Sequence, residues 1–406
     1  MRINRPSYRR SRPLRGCLPF VVSLALLLAL AWGGRGLWRD WAWQLIQPNP
    51  ADVTLTDARQ AYARGNLDQT IRYGQQLRAN NPDDVGALIL LARAHIYRSY
   101  VDYNHARDRQ TALELTTRAY ERDPLNLDVQ AIHAFAQQDN GDYESAVRNA
   151  LRVLRNDRNH PIARVTLALA YGNQGLFSAA LREAEVAVTI ADTRANDWRA
   201  DAYRALAIAH SDLAQYDAAA TAIEQAITHQ RRLIPLHFER ALYALQVGDT
   251  DTATATYFNI IAFDAENVKA RLRLCEVSSQ LSERAAAIDY CTDVVDRAPG
   301  WVDGWYTLGR EYYLSGDWLP AQQAMARCTA LQVAQDVPIP ERRLECWYIQ
   351  GQAAEVLRDC PTLLTLYAEF QQMVQSANLT QTWVYPPGGP PVCADFMATG
   401  TPARAR

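Results

Sequence analysis

Residues 305–328 read WYTLGREYYLSGDWLPAQQAMARC, and this stretch decides the fold. Trp305, Leu308, Gly309 and Tyr312 recur at three- and four-residue spacing and share one face of a first helix. Ser315-Gly316-Asp317 breaks that helix, and Ala321, Met325 and Cys328 mark the apolar face of a second. The pattern does not stand alone. Counting back from Gly316 in steps of 34 residues lands on Ser282, Gly248 and Ala214, and Gly141 and Gly175 are 34 apart as well. A fixed period of this length in a helical sequence implies stacked helix pairs, none of which buries its apolar face without its neighbours.

The pairs resemble the tetratricopeptide repeat (TPR) family. A small residue midway along the first helix, an alanine early in the second and a closing proline match that family's pattern. The frame continues in both directions. Gly65 marks the turn of a first pair, Pro82 closes it, and Pro124 closes a second pair that carries Ala112 and Ala119. Ala146 opens the second helix of the third pair. Ala168, Tyr171, Gly175, Ala180 and Ala187 give the fourth, Ala207, Ala219 and Ala226 the fifth, and Ala241, Gly248, Ala253 and Tyr257 the sixth. Cys275, Ser282, Ala287 and Pro299 hold the seventh, and Trp347, Gly351, Ala354, Tyr367 and Phe370 form a divergent ninth. The expected fold is therefore all-α, a right-handed superhelical solenoid of about eight to nine TPR-like pairs over residues 51–377.

The frame is lengthened at two places. Pro82 to Pro124 is eight residues longer than the period, with the excess at about Ser99 to Ala106, and Gly175 to Ala214 is five longer, near Asp192 to Asn196. A proline-bearing connection, Asp336 to Pro340, precedes the ninth pair. Insertions in solenoids emerge on one face, either as binding loops or as plain extensions.

The family resemblance implies a concave groove lined by first helices, whose outward residues meet a protein or peptide partner. The positions so implied are Arg59, Tyr62, Arg93, Tyr97, Phe135, Asp201, Arg204, Asp212, Phe238, Lys269, Glu276, Tyr306, Arg310 and Tyr313. Arg and Tyr combine large contact area with directed hydrogen bonds, as binding hot spots do. The lysines and asparagines with which chaperone-binding members clamp a terminal carboxylate are missing here.

Ahead of the array, residues 1–16 form a basic leader and residues 17–33, CLPFVVSLALLLALAWG, carry no charge. That run suits a short membrane span or a signal-peptide core. Basic residues before it keep the N-terminus cytoplasmic and export the body. Trp32, Trp38, Trp41 and Trp43 at its far side favour a retained signal anchor, because indoles settle at the headgroup level. Ala29-Leu30-Ala31 leaves cleavage and secretion as the alternative. Residues 34–50 are a Trp-rich juxtamembrane segment and linker, ending in Gln47-Pro48-Asn49-Pro50. Residues 378–406 form a Pro/Gly-rich tail, in which Pro386 to Pro391 cannot be helical.

Removing the arginine-rich first forty residues leaves 34 basic against 43 acidic residues. An acidic body argues against nucleic acid, which needs a basic face. Cys17 lies in the apolar run, and six cysteines lie in the body, where three disulfides suit an oxidising compartment. Stacking order suggests Cys275 with Cys291, Cys328 with Cys346 and Cys360 with Cys393; the alternative for Cys275 and Cys328 is a small core residue where alanine is usual. No CxxC, HExxH, GxSxG or phosphate-cradling loop with its lysine occurs, and the seven histidines are scattered. No cofactor, metal or catalytic residue is expected. The reading is a non-enzymatic, membrane-tethered scaffold. Its alternatives are a secreted peptide- or glycan-binding module, or an accessory of cell-envelope polymer biosynthesis that uses Asp102 or His105 in the second-pair insertion.

Overall fold

A computed structural model describes residues 53–193 and 198–399. The leader, the apolar run at 17–33 and the linker to residue 50 lie outside the described residues. Among the described residues no helix is long and apolar enough to cross a membrane. The unit beginning at Leu55 contains nineteen α-helices and no strand among the described residues.

Eighteen helices form nine antiparallel pairs. These are α1 (Leu55–Ala63) with α2 (Leu67–Asn80), α3 (Val85–Arg98) with α4 (Asp108–Arg122), and α5 (Leu127–Asp139) with α6 (Tyr143–Asn156). Next come α7 (Pro161–Asn173) with α8 (Phe177–Thr193), α9 (Arg199–Asp212) with α10 (Tyr216–His229), and α11 (Ile234–Gln246) with α12 (Thr250–Phe263). The last three are α13 (Val268–Gln280) with α14 (Arg284–Arg297), α15 (Val302–Ser315) with α16 (Trp318–Ala334), and α17 (Glu345–Val356) with α18 (Cys360–Ser376).

The periodic positions explain the hairpins. Gly65, Gly141, Gly175, Gly248 and Gly316 adopt φ between +73° and +85°, which reverses the chain between paired helices. Ala214 and Ser282 take the same left-handed conformation at +56° and +63°, where a Cβ is strained. Helix starts are set by side-chain caps: Asn66, Asp84, Asn126, Asp142, Asp249, Asn267 and Asp359 each accept from a backbone N–H in the first turn. Alanines let paired helices approach, and Ala112, Ala146, Ala180, Ala219, Ala253, Ala287 and Ala321 are completely buried. Gly309 does so too; a Cβ there would sit 2.9 Å from Met325 Cε.

Disulfides join Cys275 to Cys291 within the seventh pair, Cys328 to Cys346 between the eighth and ninth, and Cys360 to Cys393 between α18 and the tail. The tail closes the array's end. Trp383 is buried and packs edge-on against Tyr348, Tyr367 and Phe370, and the short helix α19 (Ala394–Thr399) follows Cys393. Gly351 makes room for that indole, since a Cβ would lie 2.1 Å from it.

Candidate partner-binding surface

The insertion in the second pair determines what the inner face can offer. After Arg98 the chain leaves the helical frame, forms a 3-10 turn at Tyr103–His105, and re-enters α4 at Asp108. Its two ends are clamped: Asp108 accepts from Arg98 Nε at 2.6 Å and contacts His95 Nδ1 at 2.8 Å. Burial would raise the Asp108 pKa, but these hydrogen bonds outweigh it and hold the carboxyl at about 2.

The insertion reaches the seventh and eighth pairs. Asn267 Nδ2 donates to the Val101 carbonyl at 3.1 Å, and the Asp102 carboxylate accepts from the backbone N–H groups of Val268 and Lys269 at 3.0 and 3.2 Å. A residue 166 positions away thus caps the N-terminus of α13 alongside that helix's own Asn267. Lys269 Nζ donates to the Tyr100 carbonyl at 2.8 Å, and the Tyr103 ring stacks on Trp301 with centroids 4.6 Å apart. The insertion is a strut between distant repeats.

A buried polar seam runs beside it. Asp201 on α9 accepts from Arg93 and from the Tyr97 hydroxyl on α3, the latter at 2.6 Å. The Arg93 guanidinium lies 3.7 Å from the Trp198 ring centroid. Arg204 Nε donates to Glu239 on α11 at 2.6 Å and lies over Tyr97 and Tyr100. Burial raises the Glu239 pKa against the pull of Arg204. First helices of the second, fifth and sixth pairs are therefore bonded to one another.

This closure separates the groove residues implied by family resemblance into four groups. Tyr62, Arg93, Tyr97, Phe135, Asp201 and Arg204 are all buried, at 7% exposure or less. Five of them belong to the polar and aromatic seam, and Phe135 lies in the apolar core. Phe238 lies under Lys269, Tyr313 against Trp318, and Asp212 is exposed at the end of α9. Lys269, Glu276, Tyr306 and Arg310 converge on a cavity of about 680 Å³ bounded by the insertion, α13 and α15. Arg109, Arg273, Trp301 and Arg343 also line it; the repeat frame assigned them no role. A second cavity of about 730 Å³ adjoins the first pair and includes exposed Arg59. Asp102 and His105, the insertion residues with acid–base chemistry, do not meet: Asp102 is spent on α13, and His105 lines a different depression. Among the described residues no group of three His, Cys, Asp or Glu could hold a metal.

No protein-family model matches the chain, and no curated protein does. Solved structures do. The APC/C hetero-tetramer Cut9–Hcn1 matches with a TM-score of 0.53 at 16% identity over 83% of this chain; the match spans 64% of that chain's length. The human IFIT1 dimer with PPP-AAAA matches at 13% identity over 66% of this chain and 69% of its own, with a TM-score of 0.46. A thermophilic TPR protein of Thermus thermophilus matches at 19% identity over 46% of this chain and 97% of its own, with a TM-score of 0.38. At 16% identity the likeness to Cut9–Hcn1 concerns the fold alone, and with the nine helix pairs and their left-handed turns the chain folds as a TPR-type helical solenoid.

Proposed function

We propose that this solenoid is a non-enzymatic scaffold that holds a protein or peptide partner on the part of its inner face left open by the strut. The carrying observation is the cavity between the insertion, α13 and α15, where half-buried Tyr306, Arg310 and Arg343 and exposed Arg273 face one space. Arg, Tyr and Trp dominate binding hot spots because they combine area with directed hydrogen bonds. The buried seam of Arg93, Asp201 and Arg204 ties the first helices of the second, fifth and sixth pairs together, and Arg93 also lines the second cavity.

In this proposal the body stands outside the cytoplasm, tethered by residues 17–33. Three disulfides support that side, since such bonds persist in oxidising compartments. The uncharged run behind a basic leader supports the tether. Photo-crosslinking from Tyr306 in native membranes, followed by mass spectrometry, tests the scaffold. A stoichiometric partner is expected, and capture of none refutes it. Retention of the chain in membranes after carbonate washing distinguishes tether from secretion.

A further inference from the structure

The cavity beside the strut is unevenly charged. Arg109, Lys269, Arg273, Arg310 and Arg343 line it, against Asp102, Glu276 and Asp303. Each of these acids is already engaged. Asp102 caps α13, Glu276 pairs with Arg273, and Asp303 pairs with Arg343 at 2.7 Å. Arg273 and Arg343 are thereby partnered, and Arg310 pairs with buried Glu311 at 3.1 Å; Lys269 and Arg109 are less well served. Lys269 Nζ has the Tyr100 carbonyl and the Phe238 ring as its close partners, and Arg109 approaches Asp139 only to 3.8 Å. Burial, then Arg273, lower the Lys269 pKa to about 8, with Arg109 adding to the effect and Asp102 opposing it. Crowded cations of this kind are relieved by an incoming anion.

Resting on the scaffold reading, we propose that this cavity receives carboxylate side chains of an acidic segment of the partner protein. The anion class follows from the wall. Its own acids, Glu276 and Asp303, lie among the cations and repel a dense polyanion, while Lys269 has no carboxylate as a close partner and Arg109 only a distant one, which suits one or two singly charged groups. The guanidinium groups of Arg310 and Arg343 lie 5.9 and 4.3 Å from the Tyr306 centroid, and the N–H groups they do not spend on Glu311 and Asp303 suit planar carboxylates. The Tyr103–Trp301 stack and Tyr306 add aromatic surface for neighbouring residues of an extended peptide.

Lys269 is the only lysine, so reductive methylation with ¹³C-formaldehyde gives one side-chain reporter at the site. The full chain is titrated by NMR with a pentaglutamate peptide, inorganic pyrophosphate or an oligogalacturonate. Pentaglutamate is expected to raise the Lys269 pKa by at least half a unit, and the R310Q/R343Q double variant, which loses the Arg310–Glu311 pair but retains a cooperative unfolding transition, to bind it at least tenfold more weakly. A K269M variant, followed by calorimetry, is a second check that keeps the fold and loses affinity. No pKa shift, equal binding by the double variant, or tighter binding of pyrophosphate or oligogalacturonate each overturns the proposal. A crosslinked partner whose capture ignores R310Q/R343Q also overturns it and leaves the scaffold standing. Pentaglutamate binding with no partner captured supports the site and removes the scaffold.

Discussion

Replacing Asp201 by alanine tests whether the inner seam is structural. Its side chain is 1% exposed, faces an Arg93 side chain that is 5% exposed, and accepts from the Tyr97 hydroxyl. Removing one member of a buried ion pair leaves the other charge desolvated without its carboxylate, which costs about 3–5 kcal/mol. Replacing both with apolar residues of similar size removes the charge as well and is often close to neutral. We therefore expect D201A to lose about 3–5 kcal/mol in urea denaturation and the R93L/D201L double variant to lose under about 2 kcal/mol. Because Asp201 and Arg93 sit three pairs apart, the loss should appear in all segments from the second to the fifth pair in hydrogen exchange. A D201A loss below about 1 kcal/mol, or a double variant as unstable as the single, refutes the reasoning. So does exchange that accelerates in α9 alone.

The turn positions give a graded series: G175A meets only left-handed strain and should cost about 1–2 kcal/mol, while G65A would also press a Cβ to 2.6 Å from the Arg232 backbone and should cost more. A214G and S282G should stabilise by roughly 0.5–1 kcal/mol, the relief of strain exceeding the added chain entropy; urea midpoints check all four. Asp108, with a depressed folded pKa, supplies stability that is complete above its ordinary 3.8 and is lost as pH falls towards 2; D108N should abolish that acid-dependent step in thermal melts. C360S/C393S should cost about 3 kcal/mol and expose Trp383, read as a red shift in fluorescence on mild heating.

The repeat frame located seven of the nine hairpins, because each left-handed turn needs glycine or tolerates a substitute, and Ala214 and Ser282 fall into the same conformation; it missed the ninth, which turns at Arg358, and the second, which the insertion joins. The cysteines were legible for a related reason: stacking order brings neighbouring helices together regardless of loop detail. The strut was visible only as surplus length between Ser99 and Ala106. Its destination was not, since a contact between Asp102 and residues 166 positions away leaves no trace in local periodicity. The same closure explains why first-helix residues such as Tyr97 and Arg204 are interior here, whereas an open groove would display them. A signal for it existed in Arg93 with Asp201 and Arg204 with Glu239, opposite charges on first helices of different pairs.

The strut also fixes how many repeats can lie between the second and the seventh pair. Repeat arrays ordinarily lengthen or shorten by whole units, since each unit answers only to its neighbours. Here one added unit between the second and seventh pairs would carry Asn267 and the α13 N-terminus a full step away from Val101 and Asp102. Copy number in that span is thus locked, and evolutionary or engineered changes in length are confined to the units beyond it.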